Sequence, residues 1–146
     1  MAKMNGFELK GIKTWQGMEG EGFQGSVYYN GKKVGFISDY GDGAMMDITL
    51  PRELHALVSK GEFMDDEIFF GKLYALHLQE KGYKQMVKRG LPFVAFVLRQ
   101  YDFLYVGSNT AWSLERFNAY MAMEMPKEGY KEDEVHLNVD ERFFVR

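Results

Sequence analysis

Alternating hydrophobic and polar residues open the chain. Phe7 and Leu9 alternate with Glu8 and Lys10, and this period of two predicts a first β-strand over Phe7–Trp15. Closely spaced glycines follow the strand and interrupt the alternation. We therefore expect the strand to end in a glycine-rich connection.

The segment Phe23–Ser38 has the pattern of a β-hairpin. Asn30 and Gly31 stand between two alternating runs, and this pair favours a type I′ turn because both residues tolerate a positive φ. A two-residue turn fixes the register between the strands. The predicted facing pairs are Tyr29 with Lys32, Tyr28 with Lys33, Val27 with Val34, and Gly25 with Phe36. The face predicted to pack inward carries Phe23, Val27, Val34 and Phe36.

Two helices are predicted after a short fourth strand at Met45–Thr49. The first begins at Pro51, which suits a first helical turn, and runs to about Lys60, before Gly61. The second spans Asp65–Arg89, with acidic residues in its first turn and basic residues in its last, as the helix dipole favours. Its apolar stripe at helical spacing is Ile68, Phe69, Leu73 and Leu76.

A second hairpin, a third helix and a last strand complete the predicted fold. The hairpin strands are Phe93–Leu98, which is nearly all apolar and therefore central, and Tyr101–Val106. Ser113 caps a helix that runs to about Glu124. The predicted buried face of that helix carries Leu114, Phe117, Tyr120 and Met121, and the last strand alternates through Val135, Leu137 and Val139. This order of elements predicts one α+β domain over residues 1–146, with one mixed sheet or two small ones.

Composition limits the classes of function. The chain has 146 residues, 46% hydrophobic and 16% aromatic, so it can bury a sizeable core. Its net charge of −3 argues against a strong non-specific hold on nucleic acid, which depends on clustered Lys and Arg. The absence of cysteine excludes disulfides, thiolate nucleophiles and cysteine-ligated zinc. Because the sequence shows no secretory or membrane-length apolar segment, we expect a protein of the bacterial cytoplasm.

Two glycine-rich segments are candidate sites. The run from Gly17 to Gly25 could cradle a phosphate, but a strand follows where a phosphate loop needs a helix, so a bulged strand connection is the better interpretation. Asp39, Asp42 and Asp47 could supply oxygen ligands to Mg²⁺ or Ca²⁺. Their spacing does not match an EF-hand, and a turn built on Asp and Gly explains the same residues. We therefore predict no metal site and no cofactor.

The histidines and serines show no catalytic signature. His55, His77 and His136 lie on different predicted elements, without the spacing of a metal motif. His136 could form an acid–base pair with Asp140 or Glu141, although no spacing pattern favours that pair. No serine lies in a nucleophile elbow. We therefore expect a protein that is not an enzyme.

Aromatic residues at strand ends and turns give a stronger signal. They lie near basic residues, and aromatic rings beside cations suit the stacking of bases or a protein-binding hot spot. Packing into the core is the alternative for many of them. The aromatic residues are Trp15, Tyr28, Tyr29, Tyr40, Tyr101, Tyr105 and Trp112, and the basic residues are Lys32, Lys33, Arg99 and Arg116.

Several short segments together resemble small accessory proteins of phages and mobile elements. They are Gly22-Phe23, the hairpin Tyr29-Asn30-Gly31-Lys32-Lys33-Val34, the loop Asp39-x-Gly41-Asp42-Gly43, and the terminal run Val139-Asp140-Glu141-Arg142-Phe143. Ala44 and Asp140 depart from that pattern, which tends to have glycine and asparagine there. The resemblance implies a counter-defence protein, either an anti-CRISPR protein or a protein that sequesters an immune nucleotide.

The leading hypothesis is a non-enzymatic, phage-type inhibitor that binds a bacterial defence protein such as a CRISPR effector. Acidic side chains would mimic phosphates against the basic nucleic-acid channel of that partner, and neighbouring tyrosines would add contact area. The predicted contact residues are Glu19, Glu21, Tyr28, Asp39, Tyr40 and Asp42.

Two further hypotheses come from other classes. One is a sponge, at the interface of a homodimer, that sequesters a cyclic-nucleotide or ADP-ribose-like signal by aromatic stacking and by cations on its phosphates. Its predicted ligand-binding residues are Trp15, Lys33, Arg99, Tyr101, Trp112 and Arg116. The other is an enzyme acting on nucleotides, with Asp39 and Asp42 as metal ligands and a histidine as the base.

Overall fold

The computed structural model describes two compact units. It covers residues 1–59, 65–99, 102–108 and 111–145. For Ser59, Arg99, Asp102, Phe103 and Tyr105 it gives the backbone without the side chain. The first unit contains residues up to His77 together with Phe144 and Val145, and the second contains Leu78–Phe143.

The first unit is built on a four-stranded antiparallel sheet with the order β1-β2-β3-β4. The strands are β1 (Phe7–Gln16), β2 (Glu21–Tyr29), β3 (Lys32–Asp39) and β4 (Asp47–Thr49). Asn30 and Gly31 both have positive φ and form the predicted turn between β2 and β3. The predicted N-terminal meander is therefore confirmed, although its fourth strand begins at Asp47 and not at Met45.

A β-bulge changes the predicted register of the hairpin. Next to the turn, Tyr28 pairs with Lys33 as predicted. Val27, however, pairs with Gly35, so that Val34 is an extra residue in β3. The predicted pairing of Val27 with Val34 is wrong, because a tight turn determines the register only as far as the first bulge.

The bulge also reverses which side chains of β3 face the core. One extra residue moves every later side chain to the opposite face of the sheet. Gly25 therefore pairs with Ile37, and its predicted pairing with Phe36 is wrong. Ile37 is fully buried together with Val27, whereas Phe36 is 41% exposed.

Two helices follow the first sheet along the chain. They are α1 (Arg52–Ser59), which begins directly after Pro51, and α2 (Asp66–Lys88). The Asp65 side chain accepts a 2.8 Å hydrogen bond from the N–H of Ile68 and so satisfies one of the free amides at the start of α2. Both helices lie within a residue of their predicted bounds at each described end.

The core of the first unit joins the sheet to the beginning of α2. The Phe7 ring of β1 meets the rings of Phe69 and Phe70 edge-on, at centroid distances of 5.6 and 6.0 Å. Ile68, predicted in the buried stripe, is exposed because it lies one residue outside the face that packs inward. The buried side chains of α2 in this unit are Phe69, Phe70, Leu73 and Leu76.

The second unit contains a three-stranded antiparallel sheet with the order β6-β5-β7. Its elements are β5 (Val94–Arg99), β6 (Asp102–Gly107), α3 (Leu114–Lys127) and β7 (Val135–Leu137), with a 3₁₀ turn at Glu132–Glu134. A second 3₁₀ turn, Glu141–Phe144, ends at the first residue that belongs again to the first unit. β5 is central, as its apolar sequence predicts. Helix α3 continues past the predicted end at Glu124 and includes Pro126, and β7 ends before Val139.

Helix α3 covers one face of this sheet. Phe117 and Met121, both predicted to be buried, pack against Ala95 and Val97 of β5. Leu114 was predicted on the same face but is exposed.

The other end of that predicted face is also corrected. Tyr120 is exposed at the surface, where its ring contacts Trp112 at a centroid distance of 5.2 Å.

At the start of α3, Ser113 Oγ accepts a 3.2 Å hydrogen bond from the N–H of Arg116, which confirms the predicted cap.

The α+β class is confirmed, with two sheets instead of one mixed sheet. Within the residues that the structure describes, no helix is both long enough and apolar enough to cross a membrane.

Candidate functional site

Two loops meet at one end of the four-stranded sheet. They comprise residues 17–20, between β1 and β2, and residues 40–44, after β3, and we refer to them as the loop pair. The N–H of Glu19 donates a 2.7 Å hydrogen bond to the carbonyl of Gly41. The Trp15 indole N–H donates to the carbonyl of Tyr40 at 3.2 Å. Both bonds are donated to carbonyls of the second loop, which is thus joined to the first loop and to the end of β1.

Glycines allow the two backbones to approach closely. Gly41 has φ of +69°, and a Cβ there would lie 2.6 Å from the carbonyl oxygen of Gly20. A Cβ on Gly17 would overlap the carbonyl of Gly41 from the other side. The N–H of Gly17 is already bonded to the carbonyl of Gly20 at 2.7 Å. These glycines therefore serve the contact between the loops, in agreement with the interpretation as a strand connection.

Asp39 and Asp42 each fold their own turn. Asp39 Oδ1 accepts a 2.9 Å hydrogen bond from the N–H of Gly41, and Asp42 Oδ1 accepts a 3.0 Å bond from the N–H of Ala44. Both are Asx turns, in which the side chain stabilises the backbone two residues on. Across the described part of the chain, no three His, Asp or Glu side chains are grouped so that they could hold a metal ion.

Glu19 and Glu21 differ in their surroundings. Glu21 accepts a 2.5 Å hydrogen bond from the hydroxyl of Tyr74. Burial, followed by the hydrogen bond and the charge of Glu21, raises the pKa of Tyr74 above its ordinary range. Glu19 reaches across to the second loop, where a Cβ on Gly43 would lie 2.5 Å from Glu19 Oε2. The Glu21 carboxylate, directly after the first loop, is thus held by Tyr74, and the Glu19 carboxylate lies beside Gly43 of the second loop.

Exposed apolar side chains lie beside these acids. Tyr40 is 51% exposed, Met18 is 95% exposed and Met45 is 78% exposed. Sequence reasoning predicted Tyr40 but missed both methionines. The available signal was the position of Met18 and Met45 in or next to glycine-rich turns, where no core position is expected. Methionine is soft and adaptable, and it is common on surfaces that bind proteins.

The predicted contact residue Tyr28 is not part of this site. It pairs with Lys33 near the hairpin turn, whereas Phe23 pairs with Asp39 near the loop pair. Tyr28 lies five positions after Phe23, which places the two residues about 17 Å apart along β2. The Tyr28 ring instead lies under Lys10, whose Nζ is 4.5 Å from the ring centroid.

The residues predicted to bind a nucleotide do not converge in the described structure. Trp15 pairs with Gly22 at one end of the first sheet, and Lys33 pairs with Tyr28 at the other, which separates them by about 20 Å. The side chain of Arg99 and the whole of Tyr101 lie outside the described residues.

The other two predicted ligand-binding residues are neighbours in the second unit. Arg116 lies over the Trp112 ring, with its Cζ 4.5 Å from the ring centroid. Tyr120 covers the edge of the same indole. Arg116 thus already has an aromatic partner, and the three side chains form a small cluster at the beginning of α3.

The histidines have partners that spacing did not predict. Nδ1 of His55 in α1 is hydrogen-bonded to the carboxylate of Asp66 at the start of α2. His136 lies between aromatic rings, 5.0 Å from Phe143 by centroid distance. Asp140, considered as its acid–base partner, instead binds Arg142 at 2.8 Å, and the hydrogen bonds from Arg142 lower the pKa of the Asp140 carboxyl. His136 therefore does not pair with Asp140 in the structure.

Glu141, the other carboxylate considered for His136, also has a different partner. Its Oε1 lies 3.7 Å from Nζ of Lys84 in α2.

Comparison with known proteins identifies no relative of this chain. No family model matches it, and no curated protein or solved structure is found to be similar.

Proposed function

We propose that the protein is a binding protein that places its loop pair against a basic surface of a partner protein. The observation that carries this proposal is the exposure of Met18 and Tyr40 on the glycine-packed loops, and of Met45 directly after them, near Glu19 and Asp42. Exposed apolar side chains bordered by charges are typical of a protein-binding surface, where the apolar groups supply affinity and the charges supply orientation.

The construction of the loops supports a binding role. A surface that is already ordered before contact loses less conformational entropy on binding. In the loop pair, that order comes from the backbone bond between Glu19 and Gly41 and from the two Asx turns of Asp39 and Asp42. Each of these aspartates uses Oδ1 for its turn, and Oδ2 can accept from a Lys or Arg of the partner.

The proposed partner is a bacterial defence protein in the host cytoplasm, such as a CRISPR effector. This choice comes from the resemblance of the N-terminal and C-terminal segments to phage accessory proteins. Carboxylates at the loop pair would occupy phosphate positions in a basic nucleic-acid channel, and Tyr40 would contact its wall. The chain as a whole carries a net charge of −3, which favours approach to such a surface.

A nucleotide sponge has less support from the geometry. Of the predicted ligand-binding residues, only Trp112 and Arg116 are neighbours among those whose side chains the structure describes. Trp15 and Lys33 lie far from each other, so one small molecule cannot contact both within one copy of the chain. The sponge is therefore kept as an outcome of the experiment.

The experiment measures inhibition of guide-directed DNA cleavage by a panel of purified CRISPR effectors. The site variant carries Glu19→Gln, Glu21→Gln, Asp39→Asn and Asp42→Asn, which remove charge but keep an oxygen acceptor for each turn. The control variant changes net charge equally at exposed acids elsewhere. Its substitutions are Glu53→Gln, Glu115→Gln, Glu128→Gln and Asp133→Asn.

We expect the wild type and the control to inhibit at least one effector, and the site variant to need at least about tenfold more protein. Equal inhibition by the two variants would remove the loop pair as the contact surface. Failure of the whole panel would remove effector inhibition as the function. Native mass spectrometry of protein from gently lysed cells tests the alternative, because a nucleotide-sized adduct at fixed stoichiometry would favour the sponge.

A further inference from the structure

A groove of about 270 Å³ lies in the second unit between α3 and β7. Its apolar walls are formed by Met121 and Met125 of the helix and by Val135 and Leu137 of the strand. The sheet and α3 share a core under Ala95 and Val97, and the groove continues that core toward the edge of the sheet. A layer of side chains is thus missing where a further strand would lie.

Within the described residues, the strand beside the groove has a hydrogen-bonding edge on which no other strand is paired. β7 is the last strand in the order β6-β5-β7. The N–H of Asn138 donates to the carbonyl of Val94 at 2.9 Å, and His136 faces Phe96 in the same ladder. Because hydrogen-bonded residues alternate in an antiparallel pair, the backbone groups of Leu137 between them point away from β5.

Val135 follows the same alternation at the beginning of β7. Its N–H is bonded to the carbonyl of Glu132 in the preceding turn, which leaves its carbonyl directed outward. Leu137 is also 38% exposed. The free edge therefore offers one donor, from Leu137, and two acceptors, from Val135 and Leu137.

The helix side of the groove has one acceptor without a partner as well. Asn118 Oδ1 is buried and has no hydrogen-bond partner. Pro126 has no N–H, so it cannot donate to the carbonyl of Ala122 one turn earlier. Asn118, Ala122 and Pro126 all line the groove. A hydrogen-bond donor placed in the groove would satisfy a group that is costly to leave unpaired.

We propose that the groove binds an extended segment of another protein, which adds as a fourth strand beside β7. Main-chain groups of the segment would bond to Val135 and Leu137, and alternate apolar side chains would fill the space between β7 and α3. The length of β7, three residues, limits the paired stretch to about three or four residues. This inference concerns the second unit and does not depend on the proposed function of the loop pair.

The charges around β7 indicate which residues the bound segment should carry at its ends. The stretch from Lys131 to Arg142 contains five acidic and two basic residues, and the acids lie on both sides of β7. A second copy pairing antiparallel through its own β7 would bring together two such stretches, each with more acidic than basic residues, which is unfavourable. After β7, Asp140 is paired with Arg142 and Glu141 lies near Lys84. A segment with an apolar centre and a Lys or Arg beside Glu132 and Asp133 therefore complements this surface. The structure therefore favours a partner segment with a basic end over self-association.

The experiment selects binders from a displayed library of random nine-residue peptides on the full-length protein. Synthetic copies of the selected peptides are then titrated against wild type and against Leu137→Lys. Leu104→Lys is the matched control, because Leu104 lies on the other edge strand, faces the same side of the sheet and is 43% exposed. We expect apolar peptides with a basic end, at least about tenfold weaker binding to Leu137→Lys, and unchanged binding to Leu104→Lys.

N-methylated peptides test strand addition on the unmodified protein. An added strand turns alternate N–H groups toward β7, so methylation at those positions should abolish binding, and methylation at the positions between them should not. Tolerance of methylation at every position would overturn the proposal, as would equal binding to the two lysine variants. Sedimentation that shows a wild-type dimer and a Leu137→Lys monomer would assign the edge to a second copy of the chain instead.

Discussion

The hydroxyl of Tyr74 donates a 2.5 Å hydrogen bond to the carboxylate of Glu21. The Tyr74 ring also stacks on Phe23, with centroids 3.8 Å apart and planes 7° apart. A residue of α2 thereby holds the beginning of β2, directly after the first loop of the loop pair. Burial and the nearby carboxylate raise the pKa of Tyr74, because both disfavour the phenolate.

Replacing Tyr74 with Phe should remove a pH-dependent part of the stability. A raised pKa means that the folded protein holds the phenol proton more tightly than the unfolded chain does. The contribution is complete below the ordinary pKa of 10.0 and is lost as the pH rises above it. We expect wild type to exceed Tyr74→Phe by about 1 kcal/mol in free energy of unfolding near neutral pH.

The measurement is urea unfolding of both proteins from neutral to strongly alkaline pH. The difference between them should shrink once the pH passes the ordinary tyrosine pKa of 10.0. All other tyrosines are common to the two proteins, so their titration cancels in the difference. A difference that stays constant over this range would mean that the hydrogen bond to Glu21 does not control the ionisation of Tyr74.

Because of the bulge at Val34, substitutions at two neighbouring residues should lower the free energy of unfolding by different amounts. Ile37 is fully buried, so Ile37→Ala should lower the free energy of unfolding by about 2–5 kcal/mol. Phe36 is partly exposed on the other face, and Phe36→Ala should cost less than about 1 kcal/mol. Urea unfolding of the two variants measures both values. A larger loss at Phe36 than at Ile37 would restore the unbulged register.

The same bulge shows why part of the fold was not predictable from local sequence. The turn at Asn30 and Gly31 depends on the φ preferences of two adjacent residues, which are visible in the sequence. The bulge instead accompanies a close approach by β4, since a Cβ on Gly35 would overlap the carbonyl of Thr49. Contacts between strands that are distant in sequence decide such irregularities, and no local pattern reports them.

The candidate site was predictable to a similar extent. The sequence groups Glu19, Asp39 and Asp42 correctly in space, because in a meander the β1–β2 and β3–β4 connections lie at the same end of the strands. Tyr28 was grouped with them incorrectly, since aromatic character alone does not say which end of a strand a residue occupies. Met18 was missed because a single exposed methionine matches no motif and becomes visible only through its solvent exposure.

The cluster at the beginning of α3 should be stabilised by a cation–π contact. Arg116 lies over the Trp112 ring, so Arg116→Gln should lower the free energy of unfolding by about 0.5–1 kcal/mol. Trp112 fluorescence reports the contact directly in a Trp15→Phe background. We expect a changed emission maximum in Arg116→Gln and a smaller change in Arg116→Lys, which keeps the charge. Identical spectra and stabilities in all three proteins would contradict the contact.

Two glycines with similar positive φ allow the cost of backbone strain to be measured separately from the cost of a close contact between loops. Gly41 and Gly31 both have positive φ, but a Cβ meets the carbonyl of Gly20 at the first position and no atom within 4 Å at the second. Gly31→Ala should therefore cost only about 1–2 kcal/mol, the penalty of a left-handed alanine. Gly41→Ala should cost more, because the loops of the pair must also move apart.

Urea unfolding compares the two alanine variants, and the cleavage assay with CRISPR effectors compares their inhibition. We expect Gly41→Ala to lose both stability and inhibition, and Gly31→Ala, at the far end of the β2 and β3 hairpin, to keep its inhibition. The reason is that Gly41 accepts the bond from Glu19, so a shift of its backbone displaces an acid of the proposed contact surface. An equal loss of stability in the two variants would mean that the loops do not depend on their close approach at Gly41.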